Sequence, residues 1–127
     1  VNAVAAADRT AMDRLLAPDC TLFSRINMPG YSGGAKGMDK AQILDQVPVT
    51  IHANPIIEHE IQECQPQSRG PNLGTTQLLV RVVVEYQGAG FKVPVQSWWR
   101  IDWRRDADGQ WRAISIEAVS GPAGQLR

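Results

Sequence analysis

The sequence predicts an α+β domain in which helices pack on one face of a curved antiparallel sheet. Three observations lead there. Helix-forming stretches occupy the first part of the chain and long alternating stretches the second. The alternating stretches carry β-branched and aromatic residues on both of their faces. Short glycine-bearing turns then join them, so consecutive strands pair back as a meander.

Val1 to Leu16 is mostly helix formers, with Val4, Ala7, Ala11 and Leu15 on one face and Met12 and Leu16 beside them. Thr10 followed by Asp13 resembles a capping box, so two short helices fit this stretch as well as one. Ala17-Pro18-Asp19 ends it, because the residue before a proline is pushed out of the helical region. Cys20 to Ser24 reads as a short strand. Asn27 to Gly37, with four glycines and a proline, is a loop whose one aromatic, Tyr31, either closes a pocket or lies on the surface. Helical spacing resumes from Met38 to Val47, and Pro48 is expected to stop it.

From Ile56 to Cys64 the chain alternates Ile57, His59 and Ile61 against Glu58, Glu60 and Gln62, which points His59 inward. Gln65 to Gly74 is rich in Pro and Gly and reads as a loop. Thr75 to Gln87 is the strongest strand, with Leu78, Val80, Val82, Val84 and Tyr86 on one face and Leu79, Arg81, Val83 and Glu85 on the other. Phe91 to Arg105 follows, Asp108-Gly109 signals a hairpin, and Gln110 to Val119 pairs back. Residues 1–120 thus form one domain and 121–127 a C-terminal tail.

Composition removes several function classes. Thirteen Lys plus Arg balance thirteen Asp plus Glu, leaving none of the basic surplus that phosphate backbones or anionic membrane surfaces select. No apolar run approaches the ~18 residues of a membrane span. The two cysteines lie in no CxxC and no Cys/His cluster, so two buried free thiols, a reducing cytoplasmic setting and no metal are expected.

Ala-Pro-Asp-Cys-Thr-Leu-Phe at 17–23 and Asp108-Gly109-Gln110-Trp111-Arg112 before the last strand, in this element order, resemble the nuclear transport factor 2-like (SnoaL-like) superfamily. The resemblance implies a cystatin-like cone, a curved antiparallel sheet wrapped around N-terminal helices. That fold hosts cyclases, isomerases, epoxide hydrolases and non-catalytic assembly domains, so it does not fix a function. The ketosteroid isomerase pattern is not met, since Ser24 stands where its base would be and Trp99 stands at or near its acid position. The limonene epoxide hydrolase pattern keeps Arg81, but Val83 and Ile116 replace its two aspartates.

A local likeness is to the association domain of calcium/calmodulin-dependent kinase type II. It runs through Val80-Arg81, Glu85-Tyr86, Gly88-Ala89-Gly90, Gln96-Ser97, Arg100-Ile101-Asp102-Trp103-Arg104-Arg105-Asp106 and Gly109-Gln110-Trp111. It implies that Arg81 and Arg100 point into the cone and bind a small anion, and that the domain assembles from dimers. The third arginine of that family is absent, with Ser115-Ile116-Glu117-Ala118 in its place.

Each candidate also has a plain structural role. A mid-strand Arg81 needs a counter-charge, whether a ligand carboxylate or phosphate held as a fork, or Glu85 or Glu117. Arg100 has Asp102 two residues away. His59 is a proton-transfer candidate or a hydrogen-bonded core histidine, and Glu117 a second such candidate or a paired carboxylate. Trp99 and Trp103 share a face, with Trp98 on the other. Tryptophan on both faces implies a sheet covered on both sides, hence a homodimer built sheet to sheet.

The sequence therefore predicts a non-catalytic, dimerising small-molecule-binding domain. Arg81, Arg100, Trp99, Trp103 and Tyr31 would bind a small anionic or polar-headed ligand, without organic cofactor, nucleic acid or membrane. The alternatives are a SnoaL-like cyclase, isomerase or dehydratase using His59 or Glu117, and a transport-factor-type adaptor suggested by Glu63-Cys64-Gln65-Pro66 before the Thr75-Thr76 strand.

Overall fold

A computed structural model describes residues 6, 8–25, 36–86 and 90–120. Helix α1 spans Arg9–Leu15 and α2 spans Lys40–Ala53; the strands are β1 (Leu16–Arg25), β2 (Lys36–Asp39), β3 (Ile56–Ser68), β4 (Leu73–Tyr86), β5 (Phe91–Arg105) and β6 (Trp111–Ser120). They form one six-stranded sheet in the order β2-β1-β6-β5-β4-β3. The meander β3 to β6 is antiparallel as the sequence predicts, but β1 runs parallel to β6, so the sheet is mixed. A crossover from β1 to β6 that passes through β2, α2 and β3 to β5 leaves no local sequence mark.

The cap of the first helix differs from the predicted one. Asp8, not Thr10, caps α1 by accepting the Ala11 N–H at 3.1 Å. At α2 the Asp39 carboxylate accepts the Gln42 N–H at 2.9 Å, while the Gln42 side chain accepts the Asp39 N–H at 3.0 Å. This reciprocal cap lets α2 start just after β2. The helix then runs through Pro48 instead of stopping there. Proline at that position forfeits one bond to the preceding turn, and buried Ile51, one turn on, keeps the helix packed past it. Lys40 Nζ donates to the Asp13 and Leu16 carbonyls, each at 3.0 Å, and so ties α2 to the end of α1.

The core lies between these helices and one end of the sheet. Met12, Leu16, Cys20, Met38, Ile43, Leu44 and Ala113 form it, with Leu22, Val47, Ile101, Trp103 and Ile116 packed against it. Ile101 and Trp103 therefore define the helix-side face of β5. By register, Leu78, Val80, Val82 and Val84 of β4 share that face, while Leu79, Arg81 and Val83 share the outer one. Leu78, Val80 and Val84 are buried on one side and Leu79 and Val83 on the other, so β4 is covered on both faces, as its sequence predicts.

The β5–β6 hairpin is closed by a chain of ion pairs absent from the sequence expectations. Arg104 holds Asp19 bidentately at 3.0 and 3.1 Å and Asp106 through Nε at 2.8 Å. Arg112 holds Asp106 at 2.9 Å and Asp108 at 2.8 Å. Asp19 reaches this site because the β1–β6 register shifts between Leu16 and Thr21, an irregularity that re-aims the side chain. At the turn Gly109 has φ +81°, open only to a residue without a Cβ penalty.

These arginines hold three carboxyls below the ordinary range. Arg104 lowers Asp19, Arg104 and then Arg112 lower Asp106, and Arg112 with the Gln110 N–H brings Asp108 to about 2. A carboxyl depressed on folding contributes stability above its unfolded pKa of ~3.9 and loses it as pH falls through the folded value. Thermal melts should therefore show a loss of Tm between pH ~4 and ~2 that is smaller in Arg112→Gln and shrinks in high salt. The same loss in both proteins would remove the hairpin from this account.

Candidate functional site

The register divides the predicted site residues between two faces. Trp99 and Trp103 lie on the helix side, where Trp99 Nε1 donates to Ser97 Oγ at 2.8 Å and Trp103 Nε1 to Thr76 Oγ1 at 3.1 Å. Arg81, Arg100 and Glu117 lie on the outer face. The expectation that both arginines point into the cone is thereby corrected. Their neighbour Ile101 is the side chain that meets the helices, and in a strand a one-residue offset exchanges the two faces.

His59 pairs with Val82 in register, so it is on the helix-side face, yet it is exposed rather than inward. The reason is its strand. β3 is the last in the sheet, and the described helices pack on β1, β2 and β6. Every residue from 57 to 68 is exposed, including Cys64, which was expected to be buried. Cys20 alone is a buried thiol, and burial pushes it up to about 11. His59 and Glu117 stand on opposite faces and do not share one site. Tyr31 lies outside the described residues.

The outer face has its own organisation. Leu79, Trp98 and Val119 form one row across β4, β5 and β6, with Leu79 and Val119 buried and Trp98 half-buried. One row away stand Gln77, Arg100 and Glu117, and Arg100 Nε lies 3.6 Å from Asp102 Oδ1. On the other side Arg81 faces Glu60 on β3 and Gln96 on β5. Gln62, at a register shift of β3, joins Glu60 to Gln96 by hydrogen bonds. Arg81 is half-buried and has no ion-pair partner among the described residues. The network Arg69 Nε to Thr75 Oγ1 at 2.7 Å, and Thr75 Oγ1 to Asp102 Oδ1 at 2.8 Å, borders a cavity where β3 and β4 meet. Sequence alternation grouped Leu79 with Arg81, but only pairing brought Trp98 and Val119 beside them.

Known structures share this fold. A nuclear transport factor 2-like protein of unknown function in nutrient uptake, from Rhodospirillum rubrum, superposes with a TM-score of 0.73 over 95% of this chain and 91% of its own, at 15% identity. A ketosteroid isomerase-like protein from Erwinia carotovora gives 0.73 over 95% and 88%, at 16% identity. The chain has the nuclear transport factor 2-like fold. A Xanthomonas campestris protein, provisionally assigned as a calcium/calmodulin-dependent protein kinase II association domain, shares it with a TM-score of 0.74, 15% identity, and 96% and 80% coverage. No family model matches the sequence, and no curated protein matches it significantly. At these identities the nuclear transport factor 2-like likeness is one of architecture. Among the described residues no helix is long and apolar enough to cross a membrane, and no group of three or more metal-ligating side chains occurs.

Proposed function

We propose that this chain is a self-associating, non-catalytic ligand-binding domain whose two copies meet through the outer face of the sheet. The observation that carries this is the row Leu79, Trp98 and Val119 on the face away from the described helices, with Arg100 and Arg81 on its two sides. An apolar centre holding an aromatic anchor, rimmed by arginine, is the composition of a protein interface. Phe23, opposite Glu117 in register and exposed, extends the same face. The occurrence of the fold in association-domain-like proteins supports the assembly reading.

The small anionic or polar-headed ligand expected at Arg81 and Arg100 then belongs to the rim of this interface rather than to the cone, and there to Arg81, because Arg100 already lies 3.6 Å from Asp102 Oδ1. The half-buried guanidinium of Arg81, flanked by Leu79, Val83 and Gln96 and facing Glu60 without an ion pair to it, keeps N–H donors for an anion able to take two of them in parallel. Inorganic phosphate and acetate are the probes. Either should raise Tm in proportion to the logarithm of its concentration, and Arg81→Gln should abolish the rise while keeping its own Tm in buffer. An equal rise in the variant would remove Arg81 from the site.

A further inference from the structure

We infer that a cavity on the outer face, between the ends of β3 and β4, is a binding site for a small neutral polyol of monosaccharide size. The cavity measures about 240 Å³ and is lined by Gln65, Pro66, Gln67, Thr75 and Gln77. Register places Gln65 opposite Gln77 and Gln67 opposite Thr75, so three carboxamides and a hydroxyl share one face. It lies on the Gln77 side of the Leu79 row, away from Arg81, and does not depend on the anion reading above.

The lining decides the ligand class. None of the five residues is charged. The nearest cations are already directed at one carboxylate: Arg69 reaches Asp102 through the Thr75 hydroxyl, and Arg100 lies 3.6 Å from the same Oδ1. An anion therefore gains little there. Among the described residues the Gln65 and Gln77 carboxamides have no hydrogen-bond partner, and Gln67 accepts only a long bond, 3.5 Å, from Arg69 Nη2. Each carboxamide offers two donors and an acceptor, which suits hydroxyl groups that themselves donate and accept. Thr75, 3% exposed with its hydroxyl fixed on both sides, makes a rigid floor. The volume falls below the ~300 Å³ at which drug-sized pockets begin.

The test follows the glutamine side-chain NH2 signals by nitrogen–proton NMR during titration with D-glucose, D-galactose, D-mannose and N-acetyl-D-glucosamine, with sodium phosphate as the charged comparison. At least one sugar should shift the Gln65, Gln67 and Gln77 signals saturably, and Gln77→Leu should weaken that binding about tenfold or more. If Gln77→Leu does not fold, Gln65→Leu on the exposed edge strand takes its place. The titration is run on Trp98→Glu as well as the unaltered chain, so that failure of self-association leaves the result readable. Carboxamides unmoved by all four sugars, equal shifts in the glutamine variants, or a stronger response to phosphate would overturn the inference.

Discussion

Replacing Trp98 by glutamate is expected to turn a dimer into a monomer of 13.9 kDa at micromolar concentration. Trp98 stands between Leu79 and Val119 at the middle of the outer face, where a second copy would cover it. A buried aromatic anchor of this kind contributes about 2 kcal/mol or more to association, on the order of thirtyfold in the dissociation constant. A carboxylate in its place adds an unpaired charge to the desolvated centre and raises the penalty further. Light scattering at several concentrations gives the mass, and far-ultraviolet circular dichroism establishes that the variant keeps its sheet. Because Trp98 faces away from the core of Met12, Ile43 and Ala113, the fold should survive the change. A variant that stays dimeric would place the interface elsewhere.

The second large effect concerns the helix side. Ile43 is 3% exposed and lies in the core that joins α2 to β1, β2 and β6. Truncation to alanine leaves a cavity that cannot be filled by a helix held at its start by the Asp39–Gln42 cap and by Lys40. Ile43→Ala should cost about 2–5 kcal/mol in urea unfolding at unchanged m-value. Val49→Ala, at a residue 67% exposed on the same helix, should change stability by less than about 0.5 kcal/mol. Equal effects at the two positions would mean that α2 does not pack as described.

The strands were legible where both partners are local. The ends of β5 follow from Phe91 and Arg105, and the hairpin to β6 from Asp108-Gly109, because alternation and turn chemistry act within a few residues. Alternation also separated Trp98 from Trp99 and Arg81 from Val80. Which of those faces meets the helices was not legible, since β4 carries buried aliphatic residues on both sides. The family likeness placed the arginines inward, and the pairing of Ile101 and Trp103 with the helix core reverses that. His59 illustrates a different gap. Its face follows from alternation, but its exposure follows from β3 being the edge strand, a property of sheet order that no stretch of sequence carries. The Asp19–Arg104 pair likewise joins residues 85 apart and depends on the irregular β1–β6 register.

The most direct test of self-association through the outer face is an isotope-filtered nuclear Overhauser experiment on a sample that mixes labelled and unlabelled chains. Magnetisation should pass from the Trp98 ring of one copy to the Leu79 and Val119 methyl groups of the other. A particle of 13.9 kDa with no transfer between copies, or a dimer whose transfer runs between other residues such as Ile57 and Ile61 of β3, would contradict the account.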